Sequence, residues 1–273
     1  MTTFTTLPEM IAVHAQASPT AVALTGPSAV PLSFAGLHQL IQQTTATLNS
    51  LGVGRCDRVG IVLPNCPEMA SAFVAVASAC TAAPLNMAYR ADEFEFYLSD
   101  LNAKALIVAV GSETPARAVA AKLGVAIFEM QATPDLGAGS FTLTCAGTPP
   151  GPAKNTGAAQ IDDVALILHT SGTTSRPKIV PLSHRNVCAS ARNISGVLRL
   201  TSADRELHVM PLFHIHGLIA GVLAPWAVGS QIFCTPGFNA LKFFAWMKEC
   251  QPTWYTAVHT MHQTILSRAA GYV

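Results

Sequence analysis

The sequence predicts an α/β protein built of layered parallel β-sheets flanked by helices. Short aliphatic runs such as Ala105 to Ala109 and Val164 to Leu168 alternate with stretches of helical spacing, the pattern left by βαβ units. Helical stretches also begin at residues suited to capping, Ser33, Asn65, Thr114 and Ser183 among them. Apolar residues make up 50% of the 273-residue chain and Asp, Glu, Lys and Arg only 11%, against roughly 25% charged in an ordinary soluble domain. Such a composition suits the buried helices and strands of a large α/β protein.

Taken in order, Ser33 opens a helix that Gly52 closes. Arg58 to Leu63 reads as a strand, Asn65 and Pro67 as cap and first turn, and Glu68 to Thr81 as a buried helix. Ala105 to Ala109 is a strand, Thr114 to Leu123 a helix and Val125 to Phe128 a strand. Residues 131–160, rich in Pro and Gly, read as a surface linker, which leaves 1–130 and 161–273 as two α/β subregions. Val164 to Leu168 is a continuous aliphatic strand, followed by a Gly/Thr/Ser loop and a helix from Ser183 to about Gly196. Strands at Leu207 to Met210, Gln231 to Phe233 and Trp254 to Ala257 then alternate with helices at Ile215 to Val228, Leu241 to Cys250 and His259 to Ala270.

Charge and composition exclude several functions. Lys plus Arg number 16 and Asp plus Glu 15, a net charge of +1, with no basic run for a phosphate backbone, so nucleic acid is not an expected partner. Met69 to Leu85 is apolar or small throughout, and Leu207 to Cys234 has no Asp, Glu, Lys or Arg. The second is broken by Pro211 and Pro225 and carries three histidines, so no membrane span is expected. The start, Met-Thr-Thr-Phe, lacks the basic flank and apolar block of a secretory signal, and a cytoplasmic or peroxisomal location is expected. The seven cysteines are an odd set without a C-x-x-C pair, which fits reduced, mostly buried thiols.

The chemistry concentrates in Thr170-Ser171-Gly172-Thr173-Thr174-Ser175-Arg176-Pro177-Lys178. Hydroxyls and backbone N–H groups can wrap phosphate oxygens, Gly172 admits close backbone approach, and Lys178 supplies a point charge. It is not a Walker A loop, because Pro177 and Ile179 stand where that motif needs Gly and Ser or Thr. An unliganded Ser/Thr-rich turn would have the same composition. The exact string decides: Leu166 to Lys178, with nine contiguous matching residues from Thr170 to Lys178, resembles the phosphate-loop signature of the adenylate-forming superfamily, which comprises acyl-CoA synthetases, adenylation domains of peptide synthetases and luciferases. Leu32-Ser33-Phe34, Ala83-Pro84-Leu85-Asn86 with Tyr89 and Glu93, Met210 to Leu218, and Pro252 to Val258 followed by Met261 and His262 resemble further elements of that family in order. The Pro211-Leu212-Phe213-His214-Ile215-His216-Gly217-Leu218 form is most similar to the oxalate–CoA ligase branch, with coumarate-type ligases next.

The resemblance implies a two-step reaction. A carboxylate attacks the α-phosphate of Mg·ATP to give an acyl-adenylate and pyrophosphate, and coenzyme A then takes the acyl group. Thr170, Ser171, Gly172, Thr173, Thr174, Ser175, Arg176 and Lys178 would grip the phosphates. His214 and His216, expected to share a face of an extended segment, would hold a small polar acid, although His216 could equally cap or pack at a helix start. A metal site built on His208, His214 and His216 is not expected.

Departures from the family pattern qualify this. Its members are about twice as long, and the Tyr-Gly-x-Thr-Glu element, the ribose-binding Asp and the C-terminal lid domain with its catalytic Lys are absent, so no catalytic residue is assigned and the Mg²⁺ ligand is missing. The chain reads as a partial adenylation domain, a truncated AMP-dependent acid–CoA ligase. A non-enzymatic binding or regulatory fragment that self-associates through an uncovered apolar face is the alternative. Ile179 stands where the family has Gly, and would be strained if the backbone there had positive φ; His259 stands in place of a Pro.

Overall fold

The computed structural model describes residues 4–170 and 177–269. In chain order these form α1 (Leu7–Ala17), β1 (Val22–Thr25), β2 (Leu32–Ser33), α2 (Phe34–Ser50), β3 (Arg58–Val62), α3 (Pro67–Ala77), β4 (Thr81–Pro84), α4 (Ala91–Asp100), β5 (Ala105–Ala109) and α5 (Pro115–Leu123). There follow β6 (Ala126–Ala132), β7 (Phe141–Cys145), β8 (Val164–Thr170), β9 (Lys178–Ser183), α6 (His184–Val197) and β10 (Arg205–His208). A π-helical segment, His216–Leu223, runs into α7 (Ala224–Ala227), then β11 (Gln231–Cys234), α8 (Phe243–Cys250), β12 (Trp254–Thr256) and α9 (His259–Ala269).

The strands make a seven-stranded sheet in the order β7-β6-β5-β3-β4-β8-β9 and a five-stranded sheet in the order β12-β10-β11-β1-β2. Pairing is parallel except at the β7, β9 and β2 edges. Alternation along each strand sorts side chains into layers. In β3, Val59 and Ile61 face the central core while Val62 faces a second cluster with Phe94 and Leu98 of α4. In β10, Leu207 packs outward with Phe243 and Trp246 of α8, while His208 lies under the π-helical segment. The central core joins both sheets through α1, α2 and α3, and every α3 residue from Met69 to Ala77 is buried. The apolar run Met69 to Leu85 is therefore a helix and strand enclosed in protein. Among the described residues no helix is long and apolar enough to cross a membrane.

Capping hydroxyls explain several helix starts. The Ser33 and Ser183 hydroxyls accept the Gly36 and Asn186 amides, and Thr114 accepts that of Ala116. The expectation for α3 needs correction: Cys66, not Asn65, is its N-cap, and Asn65 bonds elsewhere. That helix also stops at Ala77, and Thr81–Pro84 is strand β4, a run of small residues whose periodicity cannot separate helix from strand. Strand β9 was hidden by Pro181, tolerated because β9 is an edge. The helix expected over Ile215 to Val228 is π-helical through Leu223 before α7, where Pro225 offers no N–H to the preceding turn.

Residues 131–160 are more than a linker. They contain β7, whose Phe141 and Leu143 are buried. Further on, the Arg55 amide donates to the Asn155 carbonyl at 2.8 Å, and added Cβ atoms at Gly52 or Gly54 would collide with backbone oxygens of residues 150, 151 and 155. All seven cysteines are free, and burial pushes the Cys66 and Cys188 thiols up to about 12.

Candidate functional site

The carboxyl ends of parallel strands are where open α/β sheets leave a crevice. Here the segments following β3, β4, β10 and β11 converge on a cavity of about 330 Å³ whose lining includes Asn65, Asn86, Phe213 and Phe238. A neighbouring cavity of about 400 Å³ is lined by His169 and Thr170 at the end of β8, by Pro177, and by Tyr89, Tyr97, Phe213 and His214. Phe213 lines both cavities.

The sequence-predicted residues separate into three groups. Thr170 and His214 line the same cavity, and Lys178 opens β9 directly opposite Thr170. His216 goes elsewhere: its Nε2 lies 2.7 Å from the Thr256 hydroxyl of β12. Ser171, Gly172, Thr173, Thr174, Ser175 and Arg176 lie outside the described residues.

The shared-face argument for the two imidazoles is corrected by the backbone. Residues 211–215 turn rather than extend, with the His214 amide donating to the Pro211 carbonyl at 3.4 Å and the Leu218 amide to the His214 carbonyl at 3.1 Å. Gly217 makes this fold-back feasible, since a Cβ there would strike the Pro211 carbonyl. Desolvation lowers the pKa of His214, and desolvation followed by repulsion from His208 lowers that of His216. Both shifts favour the neutral ring, which acts as a single donor and acceptor rather than as a cation.

Asn65 fixes the loop. Its Nδ2 donates to the Met210 carbonyl at 3.0 Å, and its Oδ1 accepts the Leu212 amide at 2.7 Å. One side chain from the first sheet thus holds the entry to the His214 turn on the second. Asn65→Ala strands the Leu212 amide and removes one of the two donors to the Met210 carbonyl, and a loss of about 1–3 kcal/mol is expected in denaturant titration.

Sequence reasoning also left unassigned a polar cluster in the second cavity. Tyr89 and Tyr97 stack at 4.6 Å, the His169 ring meets Tyr97 edge-on at 4.6 Å, and His169 Nε2 lies 3.1 Å from Asp100 Oδ2. Burial lowers the His169 pKa and Asp100 opposes that. The signal that could have found them was α4, which brings Tyr97 and Asp100 together one helical turn apart.

The Ile179 expectation also resolves. Ile179 sits within β9 opposite His169 and packs beside the second core cluster, an extended position where a β-branched side chain is at ease. No group of three or more His, Cys, Asp or Glu side chains suited to a metal ion occurs among the described residues.

Comparison with known proteins agrees with this geometry. The family described as AMP-binding enzyme matches residues 11–272. The chain is 43% identical over 247 residues to an oxalate–CoA ligase of Arabidopsis thaliana, covering 88% of this chain and 48% of that protein. It is 36% identical over 242 residues to an oxalate–CoA ligase of Saccharomyces cerevisiae, covering 79% and 44%. The crystal structure of ATP-bound MatB from Rhodopseudomonas palustris superposes with a TM-score of 0.78 at 25% identity, over 95% of this chain and 51% of that one. The chain thus spans about half the length of the relatives it matches. Its two layered sheets, the site at their strand ends and the match over nearly its whole length show that the chain belongs to the AMP-binding enzyme family, the adenylate-forming superfamily.

Proposed function

We propose that this chain carries the phosphate-binding and acyl-binding parts of an AMP-forming acid–CoA ligase acting on a small carboxylic acid, oxalate in preference to a fatty acid. The observation that carries the reading is the 400 Å³ cavity in which Thr170 and Pro177, the described flanks of the phosphate loop, meet His214. A carboxylate becomes an acyl donor only when its oxygen is turned into a leaving group, and a site for that step must hold phosphate and acid side by side. Thr170, Lys178 and the intervening loop would take the ATP phosphates. His214 would donate a hydrogen bond to the acid, and Tyr89, Tyr97 and Phe213 would limit its size. His216, tied to Thr256, would support the wall rather than touch the acid. Coenzyme A would be the acyl acceptor. The described residues offer no acidic cluster for Mg²⁺, so no step is assigned to that ion here.

This reading is tested by titrating oxalate and octanoate against the ATP-saturated chain while following the His214 ring resonances. Saturable shifts with oxalate and none with octanoate are expected; the reverse preference would sink the oxalate assignment.

A second reading, a binding fragment that self-associates, is supported by exposed Leu241 at 67%, Val258 at 40% and Leu266 at 71% on and beside α8 and α9, near β12, which is an edge strand of its sheet among the described residues. Sedimentation showing a concentration-independent monomer would remove it.

A further inference from the structure

Glu206 and His208 are wholly buried on β10, with 0% exposure each, and neither belongs to the cavities described above. His208 Nε2 lies 2.9 Å from the Met210 carbonyl and its Nδ1 lies 3.2 Å from Glu206 Oε1. Glu206 Oε2 has no hydrogen-bond partner. The π-helical segment passes over the pair at Gly221, where a Cβ would meet the His208 ring and Glu206 Oε1. The titratable groups facing Glu206 are His208 on its own strand and Cys234 from β11, while His216 from the π-helical segment acts on His208.

Hydrogen-bond logic assigns the protons. A carbonyl only accepts, so His208 Nε2 must carry a proton to bond Met210. An ion pair would then require a doubly protonated ring and a buried carboxylate with one oxygen unpartnered, an arrangement that is expensive to desolvate. A neutral pair satisfies every contact: Glu206 donates its Oε1 proton to an unprotonated Nδ1, and the remaining Oε2 is only a carbonyl oxygen. Burial also raises the Glu206 pKa, against the pull of His208.

We infer that Glu206 is a positioning residue for the acyl-side loop: as a neutral acid it locks His208 in the Nε2–H tautomer, which anchors the Met210 carbonyl. That carbonyl is shared with Asn65, whose other end holds Leu212. The chain Glu206, His208, Met210, Asn65, Leu212 therefore fixes where Phe213 and His214 enter the cavity. The inference rests on the proposed function only in calling that loop the acyl wall; the tautomer and the anchoring stand apart from it.

The test needs no turnover. Nitrogen-15 spectra of the His208 ring at pH 7 are expected to show a protonated Nε2 and an unprotonated Nδ1, and hydrogen exchange at the Leu212 amide is expected to be slow. Glu206→Gln, whose amide can still donate to Nδ1, should keep both signatures. Glu206→Leu should speed Leu212 exchange at least tenfold relative to that of a core amide such as Ile61. A doubly protonated ring, an Nδ1–H tautomer, or unchanged Leu212 protection in a folded Glu206→Leu protein would overturn the proposal. Should the leucine variant not fold, the wild-type spectrum and the glutamine variant still decide it. Failure of the oxalate titration with these signatures intact would count against the function alone.

Discussion

Acidification from pH 7 to pH 4 should cost the protein about 3 kcal/mol through His184 alone, as its pKa falls from the ordinary 6.5 to about 4 at about 1.4 kcal/mol per pH unit. His184 is fully buried where three helices meet. Its Nδ1 accepts the Leu7 amide of α1 at 3.1 Å and its Nε2 donates to the Ala77 carbonyl of α3 at 3.0 Å. Both bonds need the neutral Nε2–H ring, and desolvation opposes the charged one. The unfolded chain therefore binds the extra proton first. Stability is full above pH 6.5, declines as the pH falls toward 4, and levels off below, as far as this residue is concerned. In His184→Gln, urea titrations across that window should show a slope shallower by the same amount. Equal slopes in the two proteins would mean that His184 charges inside the fold.

Removing the cation at Lys178 should have the largest effect on chemistry with almost none on stability. Lys178 is exposed at the first position of β9, so Lys178→Ala should move stability by no more than about 0.5 kcal/mol. Loss of one group aimed at developing charge typically costs about 100-fold or more, and acid-dependent ATP turnover in a protein competent for it should fall by that order. A variant with normal turnover would remove Lys178 from the phosphate grip.

Much of the architecture was legible because aliphatic runs and capping hydroxyls are local signals. Ser33, Thr114 and Ser183 each bond an amide in the first turn of the helix that they open. The rest depended on tertiary contacts. Asn65 has a capping residue's chemistry and a capping residue's place, yet its amide is spent on Met210 and Leu212, 145 and 147 residues away. The stretch from Met69 to Leu85 reads as one apolar block because both α3 and β4 are enclosed, and burial erases the amphipathic period that would divide them. In the site, Thr170 and His214 were found from the resemblance and do line one cavity. The alternative that His216 packs at a helix start matches its place at the head of the π-helical segment, but its partner was not legible, since it follows from a turn that Gly217 permits and from Thr256 on a strand 40 residues later. Glu206 and His208, two apart on one strand, carried a local signal that only their shared burial makes meaningful.

The proposed function stands or falls most directly on carboxylate-dependent ATP–pyrophosphate exchange by the purified protein with oxalate, coumarate and a medium-chain fatty acid. The account predicts exchange with oxalate that is strongly reduced in His214→Ala. Exchange driven by the fatty acid instead, or exchange with oxalate untouched by His214→Ala, would contradict a small-acid site at the meeting of the phosphate loop and the His214 turn.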